Sequence, residues 1–236
     1  MKNSKYSNSQ EITVAIDCVI FGFDSEKLNL LLWRRKVNPH KGAWSLVGEV
    51  IGNDLSLDNT ANDVLFKLTG LENIYLKQLK TYGELDRDPL ERVISIVYFS
   101  LIRVDELSLK KVENKDAKWF ALNELPELFL DHKEMVNDSL SELKRIAKDQ
   151  PLGFELLPKL FTLPQLQTLY ESIYNTKFDS RNFRKKILSL NILEKTNLKD
   201  KSNSRKGAFL FGFKENTLIN NQKNKDSYNT KDVFQF

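Results

Sequence analysis

Leu57, Ala61, Val64, Leu65 and Leu68 recur at i, i+4, i+7, i+8 and i+11, which places five apolar side chains on one face of a helix, and Gly70-Leu71 closes the run. A helix with one apolar stripe must bury it against another layer. Strands to build that layer lie on both sides. Residues 11–23 and 28–34 are rich in Val, Ile and Leu and flank the turn-like Gly22-Phe23-Asp24-Ser25, the pattern of an antiparallel pair. Residues 74–84, 92–104 and 117–121 supply three more strands. A mixed sheet flanked by helices is expected over residues 11–130.

The remainder reads differently. Val136, Leu140, Leu143 and Ala147 follow Asp131 at helical spacing, so a helix from about 132 to 148 opens a second domain, and Pro151 and Gly153 interrupt it. Thr162 and Gln165 have capping-box spacing and start a helix with Leu166, Leu169, Tyr170 and Ile173 on one face. After Asn175-Thr176-Lys177, Asp179 caps a third helix, SRNFRKKILSL, whose apolar root is Phe183, Ile187 and Leu190. Arg181, Arg184, Lys185 and Lys186 make it a basic blade, and Asn182 joins them as a candidate DNA contact. Two strand-like runs follow, joined by a polar stretch with Lys199, Lys201, Arg205 and Lys206.

Helix, helix, basic helix and hairpin is the order of a winged helix. The basic helix then enters the major groove of DNA while the wing cations neutralise phosphates. Charge agrees: residues 151–213 hold 11 Lys and Arg against 5 Asp and Glu, a net of +6, so the rest of a +4 chain nets −2. A solvated basic surface is the plain alternative.

Other classes are disfavoured. No run of 18 apolar residues and no apolar signal core is present, so a cytoplasmic, nucleoid-associated protein is expected. Cys18 lies in the apolar ITVAIDCVIFGF and reads as a buried structural thiol. His40 and His132 are too isolated for a metal or catalytic pair, and no cofactor or metal is expected. Residues 1–10 and 214–236 read as tails.

From Trp44 to Leu71 the chain has the frame and length of a Nudix hydrolase box: Gly, five residues, Glu, seven residues, Arg-Glu-apolar-x-Glu-Glu-x-Gly-apolar. With Gly70-Leu71 fixing the register, Glu49 takes the glycine position, Leu55 the first glutamate, Asp63 the arginine, Val64 the next glutamate, and Lys67 and Leu68 the last pair. Magnesium needs oxygen ligands to bridge and polarise phosphates. Leu55, Val64, Lys67 and Leu68 provide none, so no hydrolase is expected.

Taken with GAWSLVGEV, ELDRDPLERVISIVYFSL, KWFALNELPELFLDHKEM, GFELLPKLFTLPQLQTLYESIY and DSRNFRKKILSLNILEKT, the chain resembles the Nudix-related transcriptional regulators over roughly residues 11–213. That resemblance implies an α+β chain, a Nudix-like α/β/α sandwich followed by a winged helix-turn-helix domain. It also implies a homodimer on a two-fold operator, switched by a small effector. The overall wording looks most like the arabinose-responsive members, so L-arabinose and control of carbohydrate catabolism are the first expectation. An ADP-ribose-responsive regulator of NAD metabolism and a Nudix hydrolase are the alternatives. Trp44, Asp86, Arg87 and Arg92 are the candidate effector contacts, weighed against core packing for Trp44 and surface ion pairs for the others. Glu49 is expected to repel a nearby phosphate, which favours a neutral sugar.

Overall fold

The computed structural model describes residues 12–38, 40–70, 74–104, 112, 116–149, 151–152, 156–202 and 205–214. Leu71, Gly153 and the expected tails, apart from Lys214, lie outside these.

The first unit is built on β1 (Thr13–Phe23), whose eleven residues alternate between two buried faces. Val19, Phe21 and Phe23 face one core, Ile16, Cys18 and Ile20 the other. Along one edge β1 runs parallel to β6 (Val93–Arg103), and β6 continues antiparallel to β5 (Tyr75–Tyr82). Its other edge is shared: β2 (Leu28–Arg34) takes residues 20–23, and β4 (Val47–Val50) takes residues 15–18. The strands β3 (Trp44–Ser45) and β7 (Ala117–Ala121) both pair with β2 and complete the mixed sheet. Gly48 is required at the β1–β4 crossing, because a Cβ there would lie 2.5 Å from both Asp17 Oδ1 and the Ile16 carbonyl oxygen.

Helix α1 (Leu57–Thr69) covers one face with the expected stripe: Ala61, Val64, Leu65 and Leu68 are buried. Ser56 caps its N-terminus, and Gly70 ends it at φ 64°, the left-handed conformation that suits a C-terminal glycine. Helix α2 (His132–Asp149) covers the other face through Met135, Val136, Leu143, Ile146 and Ala147.

The second unit contains α3 (Leu163–Tyr174), α4 (Ser180–Ser189) and a three-stranded sheet in the order β8 (Phe161–Thr162), β10 (Ala208–Phe213), β9 (Leu193–Asp200). The Thr162–Gln165 capping box forms in both directions, and Asp179 accepts the Asn182 amide as the cap of α4. Phe183 and Ile187 are buried as expected. Leu190 is only half-buried, because the helix has already ended there and Leu190 is its C-cap. The architecture is the expected α/β/α sandwich followed by a winged helix.

One apolar cluster runs from Phe21 and Phe99 in the sheet, through Met135 and Leu143 of α2, to Leu166, Tyr170 and Phe183 of the winged helix. The Tyr174 hydroxyl also donates to the Lys144 carbonyl of α2 at 3.1 Å. Helix α2, expected to open the second domain, therefore packs on both units. Among the described residues no helix is long and apolar enough to cross a membrane.

Candidate functional site

A cleft of about 410 Å³ opens where β1, β4 and β6 meet the loop between β5 and β6 and the start of α2. Its floor is a polar chain set into apolar strands. The Ser95 hydroxyl donates to Asp17 Oδ2 at 2.5 Å, and both residues are buried. His132 faces the other carboxylate oxygen, with Nε2 3.7 Å from Asp17 Oδ1. Its Nδ1 accepts the Leu46 amide at 3.0 Å, so in the neutral ring the proton sits on Nε2 and points at Asp17. Burial lowers the His132 pKa below its ordinary value, opposed by the charges of Asp17 and Asp131. The imidazole is thereby held neutral.

Two arginines border this floor. The Arg35 guanidinium lies 4.0 Å from the Phe129 ring centroid, and Phe129 also meets His40 and His132 edge to face. Arg35 Nε is buried and has no hydrogen-bond partner among the described residues. A buried donor left without an acceptor is costly, and this one lies in a residue that lines the cleft. Arg87 donates from Nε and from a terminal nitrogen to the two oxygens of Asp131, each at 2.9 Å, with 6% of its side chain exposed.

The Arg87 pair begins a series. Asp131, Glu134, Asp138 and Glu142 lie along one edge of α2 and its approach, and the antiparallel segment 77–87 meets them in reverse order. Lys80 reaches Asp138 at 2.5 Å and Glu134 at 3.8 Å, Tyr82 donates to Asp138 at 2.7 Å, and Lys77 holds Glu142 at 2.9 Å. The Lys80 and Tyr82 hydrogen bonds lower the Asp138 pKa. Arg145 and then Lys77 lower that of Glu142 against a burial penalty. This polar zipper fixes α2 to the cleft wall at one end, while the other end of α2 packs on the winged helix.

Of the four effector candidates only Arg87 lines the cleft. Trp44 is partly buried, packs edge-on against Phe120 at 4.8 Å beneath Arg34, and lies against the core. Asp86 is exposed in the β5–β6 loop, and Arg92 donates to the Glu84 carbonyl at 2.7 Å to brace that loop. The sequence reasoning missed Arg35, Asp17, Ser95, Phe129 and the role of His132. One signal was available: Asp17 is a charge inside a strand apolar on both faces, where an unpaired carboxylate does not survive.

The box positions do not fit a magnesium ion. Leu55 is on the surface, Val64 and Leu68 are packed into the core beneath β1, and Lys67 presents an ammonium where the family pattern has a carboxylate. Glu49 lines the cleft, yet its carboxylate lies 3.1 Å from Lys67 Nζ, so the repulsion expected of it is offset by a cation one residue contact away. The electrostatic case for a neutral sugar does not hold.

On the second unit, Arg181, Asn182, Arg184 and Lys185 are exposed along α4 and Lys186 is half-buried. Lys199, Lys201, Arg205 and Lys206 are exposed on the wing. Among the described residues none of these cations forms a salt bridge. Lys199 and the unforeseen Lys195 instead stack over Phe209, at 4.6 and 3.6 Å from its centroid. The aromatic ring organises the root of the wing and leaves Lys201, Arg205 and Lys206 at its tip.

Comparison with known proteins matches both units. Residues 11–139 match the NUDIX domain, and residues 153–213 match the NrtR DNA-binding winged helix domain. The chain is 28% identical over 204 residues to the ADPR responsive transcriptional repressor NtrR of Acinetobacter baylyi, covering 85% of this chain and 81% of that one. It is 34% identical over 135 residues to an ADP-ribose pyrophosphatase of Methanocaldococcus jannaschii, covering 57% of this chain and 76% of the relative. The crystal structure of Shewanella oneidensis NrtR complexed with a 27mer DNA superposes with a TM-score of 0.75 at 28% identity, over 87% of this chain and 95% of that one. The chain belongs to the Nudix family and, within it, to the Nudix-related transcriptional regulators that carry an NrtR-type winged helix.

Proposed function

We propose that this protein is a DNA-binding transcriptional regulator whose Nudix cleft senses ADP-ribose or a closely related nucleoside diphosphate sugar without hydrolysing it. The observation that carries the ligand class is Arg35. Its buried Nε has no acceptor among the described residues, and an anionic diphosphate oxygen would supply one. Asp17, Asp88 and Glu91 offer acceptors for ribose hydroxyls, and Phe129, His40 and Trp33 offer aromatic faces for a base. A cleft of about 410 Å³ is of the size that takes a drug-sized ligand and is far larger than a single pentose needs. The relatives point the same way: a repressor and a pyrophosphatase, both with ADP-ribose in their names. L-arabinose and carbohydrate catabolism have no counterpart among them, so the sugar expectation gives way to the nucleotide one.

DNA is read by α4, with Arg181, Arg184 and Lys185 toward base edges, while Lys201, Arg205 and Lys206 approach phosphates. A homodimer would present two such helices to a two-fold operator. The signal passes through α2: a ligand anion drawn to Arg87 competes with Asp131, loosens the first tooth of the zipper, and changes how α2 seats the winged helix. Isothermal titration of the full chain with ADP-ribose, with L-arabinose as control, tests the ligand assignment. ADP-ribose should bind, arabinose should not, and Arg35→Ala should weaken ADP-ribose at least tenfold. Heat from arabinose alone would refute the assignment.

A further inference from the structure

Lys67 reverses the charge of the box position it occupies, a glutamate in the family pattern. Its ammonium lies 2.7 Å from Asp63, one turn earlier in α1, and 3.1 and 3.3 Å from the two oxygens of Glu49, which lines the cleft from β4. A single nitrogen is thus gripped by carboxylates from two different elements, at the seam between the box helix and the cleft. Without a cation there, Glu49 and Asp63 would face each other as like charges.

We propose that Lys67 is a tethered substitute for the divalent ion of the Nudix box: it fills the cation position beside the cleft and excludes a metal from it. The chemistry of the donors supports this. A divalent ion of the magnesium or calcium type takes six or more oxygen ligands, and among the described residues the two carboxylate side chains at this point, Glu49 and Asp63, are already engaged by the ammonium. The hydrogen bonds that Lys67 donates to Asp63 and Glu49 raise its pKa, so the substitute stays charged. A side-chain cation also carries one charge where the ion carries two, and it cannot bridge and polarise a bound phosphate. The site therefore keeps a neutralised rim and gives up the reactive ion. This inference concerns the box alone and holds whatever molecule fills the cleft.

Manganese binding to the full chain, followed by electron paramagnetic resonance of free Mn²⁺, tests it directly. Wild type should show no site tighter than about 1 mM, the weak end for protein-bound divalent ions. Lys67→Glu places a third carboxylate with Glu49 and Asp63 and should bind Mn²⁺ at least tenfold more tightly than wild type. Lys67→Gln covers the case in which that variant does not fold, as judged by circular dichroism: it removes the cation while keeping helix propensity, and should also gain affinity over wild type. Stoichiometric Mn²⁺ binding by wild type, or affinities equal in wild type and the folded variants, would overturn the proposal.

Discussion

Arg87 and Asp131 form a bidentate pair, two 2.9 Å hydrogen bonds between a nearly buried guanidinium in the cleft wall and a carboxylate at the entry of α2. The pair joins the ligand cleft to the helix that packs on the winged helix. Asp131→Asn keeps the shape and removes the charge. Loss of charge-assisted hydrogen bonds of this kind costs about 1.5 to 3 kcal/mol, which urea unfolding should register. The variant should still bind ADP-ribose through Arg35, but the ligand should alter operator affinity less than it does in wild type. An unchanged ligand response on the operator would show that the coupling runs elsewhere.

Stability should fall on mild acidification because of His132. Its folded pKa lies below the ordinary 6.5 owing to burial, so the unfolded chain takes up the proton first. The stabilisation is complete above pH 6.5 and declines as the pH falls toward the lower folded value, by at most about 1.4 kcal/mol per pH unit. Thermal melts from pH 8 to pH 5 should show this slope, and His132→Gln should flatten it. The lowered pKa values of Asp138 and Glu142 act further down: their contribution is present above the ordinary carboxylate range and is lost as the pH falls through it.

The fold was legible where a single period decides the structure. The stripe from Leu57 to Leu68, the Thr162–Gln165 box and the Asp179 cap are local patterns, and each element formed where the spacing placed it. The two-residue strands β3 and β8 are set by pairing with partners distant in sequence and carry no period of their own. The cleft was less legible for the same reason. Asp17, Ser95 and His132 come from three separate elements, and their contacts exist only once β1 and β6 pair and α2 docks. The place of Trp44 is not legible in the sequence, because an aromatic at a loop edge looks alike whether it faces ligand or core. Glu49 was read as repulsive because the lysine that answers it lies a whole helix away in the chain.

Arg181→Ala or Arg184→Ala should weaken binding to the best selected duplex by about 1 to 3 kcal/mol and relax base preference where the lost residue met a base. Lys201→Ala, Arg205→Ala and Lys206→Ala should weaken all sequences alike and reduce the salt slope by about one per lost phosphate contact. Fluorescence anisotropy on specific and scrambled duplexes at several salt concentrations separates the two. Wild-type affinity in the α4 variants would show that another surface reads the bases.

Hydrolysis should be absent. Incubation with ADP-ribose and Mg²⁺ or Mn²⁺, followed by chromatography for AMP, should show no product above the uncatalysed background. Turnover at about 1 per second or faster, an ordinary enzymatic rate, would contradict the assignment of Val64, Lys67 and Leu68 as non-catalytic.

The central claim is that the Nudix cleft controls the winged helix through an ADP-ribose-class ligand. Titrating ADP-ribose into a preformed complex of the full chain with its operator, with L-arabinose in parallel, tests it most directly. The expected result is a change in operator affinity of roughly 5- to 150-fold with ADP-ribose, the range of a typical allosteric coupling, displaced to at least tenfold higher ADP-ribose by Arg35→Ala and absent with arabinose. A response to arabinose with ADP-ribose inert, or no response to ADP-ribose at saturation, would contradict it.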